Sequence, residues 1–240
     1  MPRYYTPDAL QVPRLYADIL QQPHALIAGT TGAGKSTATA GILYTAAAMH
    51  SPARTLFYLI DPKRVDLLRF KALPHAVKHV TEPADIVGTL HDIAAVIDRR
   101  YQAMAAAGAT LYQGADIYVI IDELADLMTT QKAAVLPTLQ RILQIGRAAR
   151  VHVIGCTQCP LASVLPTPLK VNFTARLGLR TLSAQDSRNI LGIKGCETLP
   201  QHGRGIYLSP AGYNTVNVPL IPDSDIDSLI RYWNSPACIA

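Results

Sequence analysis

The chain has 240 residues, 49% hydrophobic and 16% charged, which suits one large domain with a sizeable core and excludes disorder or a collagen-like fibre. No run approaches the roughly 18 consecutive apolar residues of a bilayer span, and the opening MPRYYTPDAL lacks the apolar stretch of a signal peptide, so a cytoplasmic protein is expected. The net charge of +5 is modest but uneven: between Arg141 and Arg204 nine Lys/Arg stand against two acids, an asymmetry that fits a polyanion partner and that scattered solvent-facing arginines would also produce.

Residues 1–22 are punctuated by proline and are expected to form an extended segment over the surface, with residues 23–240 as a single domain. HALIA at 24–28 reads as the first strand, 36–50 as an Ala-rich helix ended by Ser51-Pro52, and TLFYLI at 55–60 as the second strand. Pro83 opens a long helix in which Ile86, Leu90, Ile93, Ile97, Tyr101 and Met104 recur at spacings of three and four, and Gly108 ends it. IYVII at 117–121 is the third strand. A helix over 132–144, strands at 151–156 and 173–179, and a short helix at 186–191 capped by Asp186 follow. An antiparallel pair at 205–208 and 214–218 and a final helix at 223–233 complete the pattern. Strands alternating with helices predict an α/β fold, a mostly parallel sheet with helices on both faces.

Gly29-Thr30-Thr31-Gly32-Ala33-Gly34-Lys35-Ser36 fits GxxxxGK[ST] between a predicted strand and a predicted helix, the context a phosphate-binding loop demands. Gly29, Gly32 and Gly34 let the backbone close on phosphate oxygens at the positive end of the helix, with Thr30, Thr31, Ala33 and Thr37 completing the contact. Lys35 is placed to reach the β and γ phosphates and the Ser36 hydroxyl to take one position on Mg²⁺. Val119-Ile120-Ile121-Asp122-Glu123 delivers two carboxylates to the carboxyl edge of the sheet, where such sheets bind ligands. Asp122 is the candidate for Mg²⁺ and Glu123 for orienting or deprotonating water, a pairing that favours ATP hydrolysis over phosphorylation of an acceptor. The spacing Cys156-Thr157-Gln158-Cys159 has no second pair, and only Cys196 and His202 lie near enough to complete a zinc set, so buried thiols at a strand end are the expectation.

PHALIAGTTGAGKS, LIDPKRVDL, DRRYQAMAAAGA, YVIIDELADLM, GRAARVHVIGCTQCP and NFTARLGLRTLSAQDSRNILG, in that order, resemble the motor domain of the FtsK/SpoIIIE DNA translocases, within the wider FtsK/HerA group of hexameric ATPases. The resemblance runs from Pro23 to Trp233. It implies a RecA-like P-loop NTPase core using ATP and Mg²⁺, a homo-oligomeric ring of six copies, and double-stranded DNA moved through the pore. It carries Gln158 to the glutamine that senses the γ phosphate and Arg147 to the arginine that enters the neighbouring subunit's nucleotide site.

The pattern departs from the family where DNA is touched. TQRP reads Thr157-Gln158-Cys159-Pro160, and Ala184 stands where Lys is common. Lys170, Arg176, Arg180 and Arg188 lie in the same region as substitutes, since backbone tracking needs charge near phosphates. Arg150 replaces the Gly usual in the RAAGxH turn, adding charge beside the pore or covering a strand end. Without a recognisable membrane segment, second ring tier or winged helix, the chain reads as a bare motor that receives location or direction from a protein adaptor, as in partitioning, conjugation or genome packaging. The alternative is an ATP-binding regulatory or assembly protein of the same fold that engages a protein partner without pumping DNA.

Overall fold

A computed structural model describes residues 13–158, 160–161 and 164–239. Its elements are α1 (Arg14–Gln21), β1 (His24–Ala28), α2 (Lys35–Met49), β2 (Thr55–Ile60), β3 (Ala76–Val80), α3 (Pro83–Ala107), β4 (Asp116–Ile121), α4 (Leu124–Thr130), α5 (Lys132–Ile145), β5 (Val151–Thr157), α6 (Thr167–Lys170), β6 (Ala175–Gly178), α7 (Ala184–Leu191), β7 (Arg204–Ser209), β8 (Gly212–Asn217), α8 (Asp223–Trp233) and α9 (Pro236–Ile239). The strands form one sheet in the order β3-β2-β4-β5-β1-β6-β7-β8. The first six run parallel, and β7 is antiparallel to both its neighbours.

Both faces are covered because the central strands are apolar on both sides. Along β4, Tyr118 and Ile120 join the core beneath α1, α2 and α8, with Ile42, Leu43, Phe57 and Ile226. Ile117, Val119 and Ile121 join the core beneath α3 and α5, with Ile86, Leu90, Ile97, Leu139 and Ile142. The period-two alternation of a strand thus feeds two separate helix layers. The long helix ends as expected, with Gly108 in the left-handed region at φ 63.

Three expectations change. Arg14–Gln21 is a helix, not an extended stretch, and buries the stripe Leu15, Tyr16, Ile19 and Leu20; the Tyr16 ring lies so close to Gly41 of α2 that a Cβ there would fall 2.1 Å from it. Residues 1–12 lie outside the described residues. Strand β3 is an addition to the expected strands, because AVKHV is a half-exposed edge strand without clean alternation. Helix α7 is capped by Ser183, whose side chain accepts from Asp186 N at 3.1 Å, while Asp186 sits inside the first turn.

Candidate functional site

Adjacent strands β2, β4, β5, β1 and β6 end at one edge of the sheet, and each hands over a residue of interest. Asp61 follows β2, Asp122 and Glu123 follow β4, Gln158 follows β5, Gly29 follows β1 and Arg180 lies two residues beyond β6. Residues from five segments converge because parallel strands share one carboxyl edge.

The loop after β1 is held from both neighbours: Gly29 N donates to Thr157 O at 3.2 Å and Thr30 N to Arg180 O at 2.8 Å. Gly29 has no room for a side chain, since a Cβ would stand 2.7 Å from that of Leu179. Gly34 precedes α2 at φ 108, a conformation that L side chains rarely adopt. Lys35 Nζ donates to the carbonyls of Gly29 (2.8 Å) and Thr30 (2.9 Å), and burial lowers its pKa. Gly32, Gly34, Lys35, Ser36 and Thr37 form one wall of a cleft of about 350 Å³, and His202, Gly203, Val218 and Leu220 form the other.

Ser36 Oγ donates to Asp66 Oδ2 at 2.8 Å. Asp122 is 7% exposed, and burial, with the charges of Asp66 and Asp61 adding to it, pushes its carboxyl up to about 7. A divalent cation fits this donor set, because its charge would favour the ionised carboxylate and the Ser36 hydroxyl supplies a neutral oxygen. Ser36 and Asp122 could hold such an ion, leaving its remaining positions to water or ligand oxygens.

Glu123 is 2% exposed, and both its oxygens are occupied. Oε1 accepts from Gln158 N (3.1 Å) and Ala125 N (3.4 Å), and Oε2 accepts from Lys63 Nζ (3.1 Å). Gln158 links this carboxylate to the phosphate loop, its amide oxygen accepting from Thr31 Oγ1 at 2.8 Å. Lys63 and Asp66 join the site without belonging to either nucleotide motif. Lys63 lies in the LIDPKRVDL segment, but only the pairing of β2 with β4 shows that it reaches Glu123.

Arg147 is exposed, and its side chain makes no hydrogen bond or ion pair with any described residue. It lies between α5 and β5, at the amino edge of the sheet, beside a cavity of about 490 Å³ that Pro23, Asp116 and His152 also line. Strand β5 has seven residues, so its two ends stand about 20 Å apart at ~3.3 Å per residue. Arg147 therefore cannot reach the phosphate loop of its own chain.

The four cations assigned to DNA separate in the structure. Lys170 is 8% exposed and its ammonium donates to Asn189 O at 3.1 Å. Arg176 donates to the carbonyls of Phe173, Ile190 and Lys170 at 3.1, 3.0 and 2.8 Å. These two hold the β6–α7 region together, and neither offers a free cation. Arg180 donates through Nη1 to Leu199 O at 3.0 Å and is half-buried. Arg188 is exposed and unpaired among the described residues. Arg150 directs its charge onto Asp116, so it supplies no free charge to a pore.

Cys156 is fully buried, 3.1 Å from Thr39 Oγ1, and burial pushes its thiol up to about 12, so it is a packing thiol. Cys159 lies outside the described residues. Among those described, no three His, Cys, Asp or Glu side chains are grouped to hold a metal, and no helix is long and apolar enough to cross a membrane.

A Gly-rich loop between β1 and α2, acids after β4 and a mostly parallel sheet define a P-loop NTPase of the RecA-like class. The FtsK/SpoIIIE family profile matches residues 11–117 and 103–162, and the chain belongs to that family. It is 34% identical to the DNA translocase FtsK of Lactiplantibacillus plantarum over 240 residues, 90% of this chain and 30% of that protein. To the DNA translocase FtsK of Agrobacterium fabrum it is 30% identical over 260 residues, 90% of this chain and 29% of that protein. The chain thus spans less than a third of these curated relatives. Among solved structures it resembles the conjugation coupling protein TcpA of pCW3, a monomer form with ATPgS (TM-score 0.78, 20% identity, 90% of this chain and 66% of that one). It also resembles the cytoplasmic domain of the type VII secretion ATPase EccC of Thermomonospora curvata (TM-score 0.74, 23% identity, 88% of this chain and 28% of that one).

Proposed function

We propose that this chain is an ATP-hydrolysing motor that moves double-stranded DNA, working as a ring of copies, six by the family resemblance, in the cytoplasm. The observation that carries the reading is the division of the hydrolytic machinery between opposite edges of the sheet: Glu123 and the phosphate loop stand at one edge, and the free Arg147 stands at the other. Each nucleotide then needs two copies of the chain.

Lys35 binds the β and γ phosphate oxygens once released from the Gly29 and Thr30 carbonyls. Ser36 and Asp122 hold Mg²⁺, which supplies charge neutralisation at the phosphates when bound. Glu123 accepts the proton of the attacking water, and Gln158 couples that carboxylate to the loop around the γ phosphate. Arg147 of the next copy meets the charge that develops on the γ-phosphoryl oxygens, an effect of about 10³ to 10⁵ in rate. Contact with DNA phosphates falls to Arg188 and Arg180.

The test is steady-state ATP hydrolysis with and without linear duplex at low salt. Stimulation by duplex is expected; its absence would sink the translocase reading. A second reading, an ATP-driven assembly protein with a protein partner, is favoured by the inward anchoring of Lys170 and Arg176, which removes two expected DNA cations. Tight ATP binding together with negligible duplex affinity would support it. A protein adaptor that sets location or direction is compatible with both readings. Roles in partitioning, conjugation and packaging are each compatible with this motor.

A further inference from the structure

Arg147 projects from the turn 147–150, and every carbonyl of that turn is held. Arg147 O accepts from Arg150 N at 3.1 Å, Ala148 O from Tyr112 N at 2.9 Å and Arg150 O from Ile117 N at 2.9 Å. From beneath, Arg100 Nη1 donates to Ala149 O at 2.6 Å and Arg150 O at 3.2 Å. Arg100 belongs to α3, is 8% exposed, and stacks its guanidinium 4.3 Å over the Tyr112 ring. Burying a guanidinium costs desolvation free energy, which the bonds to two carbonyls and the stacking on Tyr112 offset.

Arg150 is the distinctive member. It sits at φ 54, a region that favours glycine, yet it carries a long side chain that closes a bidentate pair on Asp116. Nε is 2.7 Å from Oδ1, and Nη2 is bonded to Oδ2. Asp116 is the first residue of β4 and also meets His152 Nε2, at 3.2 Å. The turn is thereby tied to the starts of β4 and β5.

We propose that Arg150, through its clamp on Asp116 and with Arg100 beneath, is a positioning residue that sets the direction in which Arg147 leaves this chain toward the nucleotide held by a second copy. The inference rests on the shared-site reading above. An arginine offered across a subunit seam contributes only within hydrogen-bond reach of the transition-state oxygens, and a misplacement of about 1 Å lowers the rate about 10²-fold. A sheet edge holds such a side chain more accurately than a free loop. Arg147 stays unpaired, while each neighbour in the turn is fastened.

The test uses the full chain under conditions where it assembles. Arg150→Gly suits the left-handed backbone and removes only the clamp. The expected result is a fall in kcat of about 10-fold or more, with KM for ATP, nucleotide affinity and oligomeric state unchanged, and partial recovery in Arg150→Lys. Mixing Arg150→Gly with Glu123→Gln subunits should restore hydrolysis above either alone, because the second supplies an intact Arg147 to the first's intact site. Wild-type kcat in Arg150→Gly overturns the proposal, as does a loss that follows only the unfolded fraction. Failure of Arg150→Gly to be complemented where Arg147→Ala is complemented overturns it too. If Arg147→Ala itself is not complemented by Glu123→Gln, the shared site falls and the mount with it. Should Arg150→Gly not fold, Asp116→Asn is read against the same outcomes.

Discussion

The two ends of β4 carry the same kind of residue in opposite states. Asp116, at the amino end, is drawn down to about 2: burial works against the charge, but hydrogen bonds from His152 and Arg150 outweigh it. Asp122, just past the carboxyl end, is pushed up to about 7 by burial among other acids. Around Asp116 the charges are balanced within the chain, whereas around Asp122 an anionic cluster remains that an incoming cation would neutralise. A closed network suits a support, and an open one suits a site.

The strongest way to break this contrast is to remove what each edge gives to hydrolysis. Arg147→Ala should lower ATP turnover by about 10³-fold or more while leaving assembly and nucleotide affinity intact. Mixed with wild-type subunits it should suppress activity beyond simple dilution, and equal activity per wild-type subunit would reject the shared seam. Glu123→Gln should lower turnover by about 10² to 10⁴-fold and retain ATP in equilibrium binding; normal turnover would remove Glu123 from its role as base.

Stability sharpens the same contrast by its sign. Asp116→Asn leaves Arg150 without its ionic partner and should cost about 1–3 kcal/mol in urea unfolding at pH 7. Asp122→Asn relieves repulsion among acids and should leave the metal-free fold as stable or more so. Because the folded pKa of Asp116 lies below its ordinary 3.8, its contribution is present above about 4 and lost as pH falls toward about 2. The gap between wild type and Asp116→Asn should close over that window. A gap independent of pH would mean the clamp is not ionic.

The smallest effect concerns DNA. Arg188→Ala should reduce the slope of log affinity against log salt by about one contact. Lys170→Ala should leave the slope unchanged and lower the unfolding midpoint instead, since its ammonium holds a carbonyl. The reverse outcome would return Lys170 to the DNA-facing set.

The phosphate loop was legible because its glycines, Lys35 and Ser36 sit in one short window whose spacing follows from the chemistry, and β1, β2, β4 and β5 were legible as apolar runs. Lys63 was not, because its relation to Glu123 arises only when β2 pairs with β4, and Asp66 was not, because it meets Ser36 from 30 residues away. The inward turn of Lys170 and Arg176 was not legible for a related reason: a count of charges along the chain does not reveal whether a long cation turns outward to phosphates or inward to carbonyls. The helix Arg14–Gln21 is masked in the sequence by its flanking prolines, and its apolar stripe is meaningful only against α2.

The notch at Gly41 that receives the Tyr16 ring joins the first helix to the one that begins with Lys35. With no slack between them, a tilt of the phosphate-bearing helix is expected to swing the first helix as a lever. A fluorophore at Arg14 should then report each nucleotide exchange from outside the cleft, and a bulkier residue at position 41 should uncouple that signal.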